Sequence, residues 1–136
     1  MGHSSSVLLL LIPNLALASF ADLKSRRIPN VISFSTACEI LILSFERAAL
    51  TRALIFLTVF VLLREIFKLS IGYGDIKYAT ALTLNSPNLN ALFTFLNVTC
   101  ASALAGLLFY RIIRGRWLKS VPLAPFLSLG AVICYL

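Results

Sequence analysis

The segment IGYGDIKYATALTL, residues 71–84, sets two glycines and an acid directly before an apolar run. An acid also stands at the end of an apolar run in ADLKSRRIPN, residues 21–30. Acids are otherwise scarce, since the chain has five Asp and Glu residues against 60% hydrophobic ones. An acid in such a background is costly to keep unless it has a use. The two acids, Asp22 and Asp75, are therefore the first candidates for functional residues.

The composition is typical of an integral membrane protein. The mean hydropathy is +0.95, and 12% of the 136 residues are charged. Helices suit a bilayer because they satisfy their own backbone polar groups. One crossing takes about 20 apolar residues, so six crossings would use roughly 120 and leave no room for a separate soluble domain. We expect an all-α, polytopic membrane protein with about six transmembrane helices, one of them short.

Six apolar runs support this expectation, and each is bounded by charges, proline, glycine or asparagine. They cover residues 7–21, 31–45, 48–63, 76–84, 89–110 and 121–136. The fourth run is too short to span unless its helix starts before Asp75, so five spans and a partial one remain an alternative. Residues 1–6, MGHSSS, lack the basic flank of a signal peptide and are interpreted as a terminal remnant. Residues 7–136 then form a single membrane-embedded domain.

The basic residues orient this arrangement. If the loops alternate between two faces, ten of the 12 basic residues fall on one face, and only Arg47 and Arg52 fall on the other. The positive-inside rule makes the ten-residue face cytoplasmic and places both termini outside. The net charge of +7 is mostly this signature, and no soluble basic face suggests nucleic-acid binding. Two crossings separate Asp22 from Asp75, so both acids are expected on the cytoplasmic face.

Each motif also has a purely structural interpretation. Gly72 could end the third helix and Asp75 could cap the fourth, because glycine suits helix ends and aspartate accepts from free N–H groups. Asp22 could form an interfacial ion pair with Arg26, four residues on. These interpretations are stronger for either acid alone than for two acids on one face.

Three blocks of sequence carry a family resemblance. They are DLKSRRIPN at residues 22–30, GYGDIK at 72–77 and VPLAPFL at 121–127. In this order the chain resembles the type IV prepilin peptidases, which have an Asp-x-Lys/Arg block ending in Ile-Pro-Asn, a Gly-x-Gly-Asp-x-Lys block and a Pro-x-x-Pro-Phe-Leu start to the last helix.

The resemblance implies a membrane-embedded aspartyl endopeptidase of the GxGD type. Such enzymes sit as multi-pass proteins in the inner or plasma membrane. They remove the short positive leader of a prepilin or pilin-like precursor at the cytoplasmic face, after a glycine just before the hydrophobic segment. Carried over to this chain, the catalytic residues are Asp22 and Asp75, and the cleavage needs no metal or other cofactor. The expected partners are the precursor peptide and membrane lipid.

The aspartates have neighbours with possible supporting roles. Gly72 and Gly74 could let an extended substrate backbone approach Asp75 closely, or could simply mark a helix end. Lys24 and Lys77 follow the two aspartates by two residues, so on a helix neither faces its aspartate, although a loop could bring one onto a carboxylate. Which aspartate is the acid and which the base stays open.

One more acid lies within an apolar run. Glu39 falls roughly 13 Å into the second run at the helical rise. An ionised group is costly at that depth, so a neutral, hydrogen-bonded structural role is favoured over an outer contact to the aspartate pair.

The cysteine pattern indicates which of the family's reactions this chain would carry out. Cys38, Cys100 and Cys134 lie singly in apolar runs, and no Cys-x-x-Cys is present. Larger family members carry a cytoplasmic insertion with paired Cys-x-x-Cys and also N-methylate the new pilin terminus. This chain is more similar to short, cleavage-only forms such as the Flp/Tad prepilin peptidases or the archaeal preflagellin peptidases.

Two other classes of function remain as alternatives. A small transporter component could use paired intramembrane acids to bind a cation or relay protons, and it would tolerate Asp to Glu changes. A non-catalytic assembly factor of a pilus or secretion apparatus would tolerate replacement of both aspartates.

Overall fold

The fold is all-helical throughout the part of the chain that is described. The computed structural model describes residues 2–25, 28–43, 46–67, 71–115 and 122–135, with side chains between residues 10 and 134. Six helices make up these ranges. They are α1 (Gly2–Ser25), α2 (Asn30–Leu43), α3 (Arg47–Phe67), α4 (Tyr73–Thr83), α5 (Leu89–Arg114) and α6 (Ala124–Tyr135).

The helices follow the six apolar runs closely, with one difference at the start of the chain. The backbone is helical from Gly2, although residues 1–6 were interpreted as a remnant outside the fold. Extending an existing helix adds one hydrogen bond for each residue fixed, so a polar stretch can continue a helix that its apolar neighbours nucleate.

Helix α4 is short and lies at the centre of the bundle. Its 11 residues begin after Gly72, whose backbone is extended, and end before the turn at residues 84–88. Its side chains are buried on almost every face, and it packs against α2, α3 and α6. A helix that is enclosed by protein on all sides meets little lipid, so its length need not match the bilayer.

Helix α6 packs between α1 and α5 through small residues. A Cβ atom added to Gly106 of α5 would lie 2.7 Å from the ring of Phe126, and one added to Gly130 of α6 would collide with the hydroxyl of Thr99. Gly106 thus makes room for the ring of Phe126, and Gly130 lets the backbone of α6 lie close to α5, as is common between helices packed in lipid.

The two ends of the bundle carry different connections. At one end Arg52 of α3 donates a hydrogen bond of 2.6 Å to the carbonyl of Ser86 in the α4–α5 turn. At the other end, the C-terminus of α1 lies near the N-termini of α4 and α6. Asp22 and Asp75 lie at this end. Five of the basic residues expected at this end lie outside the described residues. They are Arg26, Arg27, Lys68, Arg116 and Lys119.

Within the described residues, one helix is long and apolar enough to cross a membrane, namely α5. Helices α2 and α6 are apolar but shorter. Large apolar side chains are exposed on the outside of the other five helices, for example Phe20, Ile42, Ile66 and Ile112, whereas α4 exposes one such side chain, Tyr73, at its first residue. Exposed apolar surface of this extent marks a site of contact with lipid or with another protein.

Candidate active site

Asp22 lies in the last turn of α1 and is almost completely buried, with 3% of its surface exposed. Its Oδ2 accepts a hydrogen bond of 2.9 Å from the backbone N–H of Ala124, the first residue of α6. The first N–H groups of a helix have no partner inside the helix and carry partial positive charge. Asp22 therefore caps α6, and this contact stabilises a negative charge on its carboxylate. Its alternative partner, Arg26, lies outside the described residues.

Asp75 lies in the first turn of α4 and is half-buried. Burial, together with repulsion from the carboxylate of Asp22, raises the pKa of Asp75 from 3.8 to about 6, while a hydrogen bond with the backbone of Gly72 partly opposes the shift. The proton is therefore held to a higher pH than on an ordinary aspartate. Asp75 does not occupy the N-cap position that sequence suggested, because Gly72 does.

The fold brings the two acids together from positions 53 residues apart in sequence. The carboxylate of Asp22 lies close enough to Asp75 to add to the rise in its pKa, after the larger effect of burial. Asp22 accepts a hydrogen bond from a helix N-terminus, whereas burial and the charge of Asp22 raise the pKa of Asp75. The two acids therefore have different surroundings.

The two glycines of the motif have different neighbours. A Cβ on Gly72 would lie 3.1 Å from Oδ2 of Asp75, and a Cβ on Gly74 would lie 3.3 Å from the carbonyl oxygen of Ile28. Gly72 leaves room for the carboxyl group, whereas Gly74 lets the start of α4 pack against the α1–α2 connection. Gly72 is the N-cap of α4, directly before its first residue, whereas the structural interpretation placed it at the end of α3.

Among the described residues, neither lysine forms a hydrogen bond or an ion pair with an aspartate. Lys77 Nζ lies 3.4 Å from Oδ1 of Asn30, so it links α4 to the Ile-Pro-Asn block, and Lys24 is exposed to the surroundings. Lys77 and Asn30 stand at the edge of a groove of about 420 Å³ between α2, α3 and α4, whose other walls are mostly apolar.

Glu39 is part of a separate polar contact. Its Oε1 accepts a hydrogen bond of 2.7 Å from Nδ2 of Asn14, which joins α2 to α1. Asn14 precedes Asp22 by eight residues, or about 12 Å along the helix. The contact fits a hydrogen-bonded structural role, although Oε2 of Glu39 is buried without a hydrogen-bond partner, and the neutral state of the side chain stays a prediction.

Sequence reasoning missed the backbone N–H of Ala124. The block at residues 121–127 was used only as a family marker, although Pro122 and Pro125 are typical of a helix start with free N–H groups. No group of three or more His, Cys, Asp or Glu side chains that could hold a metal ion occurs among the residues that were described. The thiols of Cys38, Cys100 and Cys134 lie on three different helices and are free.

Residues 9–110 match the type IV leader peptidase family. The chain belongs to this family. The matched stretch holds both aspartates and both of their motifs, while the block at residues 121–127 lies beyond it. Membership in the leader peptidase family indicates a peptidase that acts on a prepilin-type peptide. No curated protein and no solved structure gives a match to the chain.

Proposed function

We propose that the chain is a membrane aspartyl endopeptidase of the GxGD type that removes the leader peptide of a type IV prepilin-like precursor at the cytoplasmic face. The observation that carries this proposal is the electrostatic pairing of Asp22 with Asp75 at one end of the bundle. Family membership supports peptide cleavage in general, and the pair supplies a water-activating group and a proton donor.

The surroundings of the two acids support an assignment of their roles. Asp22, capped by the N–H of Ala124, is the ionised member, and Asp75, whose pKa is raised to about 6, is the protonated member. Asp22 takes a proton from a water molecule as the water oxygen bonds to the scissile carbonyl carbon. Asp75 gives its proton to the carbonyl oxygen, which yields a neutral tetrahedral diol.

The second half of the reaction restores both groups. Asp22 passes its new proton to the amide nitrogen as the carbon–nitrogen bond breaks, and Asp75 takes a proton back from one hydroxyl of the diol. The products are the carboxyl end of the leader and the free amine of the mature peptide. Proton transfer by positioned groups of this kind contributes roughly 100- to 10,000-fold to a rate.

The membrane setting is part of the proposal. An outer surface rich in apolar side chains, α5 above all, suits a multi-pass protein in the inner or plasma membrane. The excess of basic residues at the aspartate end suits a cytoplasmic site with both termini outside. The absence of Cys-x-x-Cys in the chain supports cleavage without N-methylation.

The test uses the purified protein in lipid vesicles with a panel of prepilin peptides. Each peptide carries a basic leader, a glycine at the junction and an apolar segment. We expect one cut after the glycine, and mass spectrometry in the presence of S-adenosylmethionine should show an unmethylated amine. No cleavage of any peptide, together with ion flux that depends on Asp22 and Asp75, would favour a transporter component instead.

A further inference from the structure

A chain of three hydroxyl groups, two of them on buried residues and one on the half-buried Ser19, lies directly beneath the aspartate pair. The hydroxyl of Tyr78 in α4 lies 2.9 Å from Oγ of Ser128 in α6, and Ser128 Oγ lies 3.2 Å from Oγ of Ser19 in α1. Ser19 also donates a hydrogen bond of 2.8 Å to the carbonyl of Leu15. These hydroxyl groups therefore join α1, α4 and α6 through hydrogen bonds between side chains.

On each of the three helices, the residue that carries the hydroxyl group lies one helical turn from the residue that belongs to the site. Tyr78 follows Asp75 by three residues, Ser19 precedes Asp22 by three, and Ser128 follows Ala124 by four. Residues three or four apart lie on one face of a helix. The three hydroxyl groups thus form a layer one turn below Asp75, Asp22 and the N–H of Ala124.

The packing explains why such a layer is needed. In the described part of the chain, α1 and α4 hardly touch each other, although they carry the two aspartates, and both α2 and α6 pack against α1 and α4. The separation of the carboxyl groups is therefore set through these two helices, and α6 is the one that makes hydrogen bonds at the site and one turn below it. Ala124 holds Asp22 at the start of α6, and Ser128 holds Tyr78 one turn further along.

We propose that Tyr78 and Ser128, with Ser19, are positioning residues that hold α4 in register with α1 and α6 and so fix Asp75 against Asp22. The proposal rests on the proposed function for its effect on cleavage. Tyr78 is completely buried and Ser128 nearly so, so breaking their bond leaves a hydroxyl without a partner in the interior. Rotation or sliding of α4 is therefore disfavoured.

The test compares Tyr78→Phe, Ser128→Ala and the double variant with the unchanged protein in lipid vesicles. Thr36→Val is the matched control, because Thr36 is equally buried but its hydroxyl donates to Ile32 of its own helix. Two readouts are taken from each protein. They are kcat and KM for a prepilin peptide, and the titration midpoint of the Asp75 carboxyl carbon by NMR.

We expect kcat to fall roughly 10- to 100-fold in Tyr78→Phe and Ser128→Ala with little change in KM, since small misplacements of reacting groups cost rate. The Asp75 midpoint should move down toward 3.8 as the pair separates and water enters. The double variant should be little worse than either single one, because both changes remove the same bond. Thr36→Val should change neither readout.

Unchanged midpoints in both Tyr78→Phe and Ser128→Ala would overturn the inference, whether or not the protein cleaves peptides. A lower melting temperature with normal kcat and normal midpoint would also overturn it, because the hydroxyl chain would then only stabilise the fold. If Tyr78→Phe does not fold, Ser128→Ala keeps the tyrosine in place and gives the same two readouts. Failure of the unchanged protein to cleave, with shifted midpoints in the variants, would contradict only the proposed function.

Discussion

The carboxylate of Asp22 in α1 accepts a hydrogen bond of 2.9 Å from the backbone N–H of Ala124 in α6, 102 residues further along the chain. This bond ties the buried acid to the positive end of a helix. Burial, together with repulsion from Asp22, raises the pKa of Asp75, and a hydrogen bond with the backbone of Gly72 opposes this shift only in part. Two acids of one type therefore have different surroundings in the same site.

Removing either carboxyl group should stop cleavage. Asp22→Asn and Asp75→Asn keep the shape of the side chain but cannot exchange the proton, so we expect turnover of a prepilin peptide to fall to near background. The double variant should be little worse than either single one, because members of a catalytic unit are not additive. Turnover in lipid and a melting curve are measured for each protein.

Glu46→Gln serves as the control for these variants. Glu46 is an exposed acid at the opposite end of the bundle, where it pairs with Arg52 at 3.5 Å. Its removal should leave turnover unchanged. A well-folded Asp75→Asn protein with near-normal turnover would rule out the aspartyl mechanism.

The activity should depend on pH through Asp75. If Asp75 must be protonated to donate, kcat/KM should decline as the pH rises through about 6, the value to which its pKa is raised. The two carboxyl groups interact, so this decline belongs to the pair. A rate profile between pH 4 and 8, spanning the shifted value of about 6, tests it, and a rate that rises through that value would reverse the two roles.

The raised pKa of Asp75 should also make the free energy of unfolding depend on pH. Because the pKa of Asp75 is raised in the folded state, the folded protein binds more protons than the unfolded chain between pH 3.8 and about 6. This contribution to the free energy of unfolding is present below pH 3.8 and is lost as the pH rises through that interval. The difference in melting temperature between the unchanged protein and Asp75→Asn should vary with pH only there.

The two glycines of the motif should respond differently to alanine. In Gly72→Ala the new methyl group would crowd Oδ2 of Asp75 at 3.1 Å, so we expect a lower kcat with little change in melting temperature. In Gly74→Ala it would press on the backbone of Ile28 at 3.3 Å, so we expect a loss of stability of about 1–3 kcal/mol. Turnover and melting curves separate these effects. Equal losses of both properties in both variants would contradict the distinction.

The proposed topology can be tested by labelling cysteines from outside the cell. In a variant without native cysteines, Ser25→Cys at the end of α1 should be protected from a membrane-impermeant reagent, and Asn90→Cys at the start of α5 should react. Both positions are exposed, so a difference would report sidedness. A second candidate on the protected face, Ser70, lies outside the described residues. Strong labelling at Ser25→Cys would reverse the orientation.

Local sequence signals predicted much of this architecture. The boundaries of the six helices follow apolar runs and their flanking Pro, Gly and Asn residues, and the short fourth helix was expected from the short, mostly apolar run at residues 76–84. The candidate aspartates stood out because an acid is rare and costly in so apolar a chain. Counting crossings predicted that both would lie at one end of the bundle, as they do in the structure.

The sequence by itself therefore determined where helices begin and end and which acids could react, because these properties depend on neighbours in the chain. Only the tertiary structure decided that α4 is enclosed, that Ala124 caps Asp22, and that Tyr78 meets Ser128. In a soluble protein a polar face would mark the outside of each helix. Here the outer faces of the helices also carry large apolar side chains. The spacing of apolar residues in the sequence therefore does not reveal which helix faces meet, and the packing between distant helices determines the contacts.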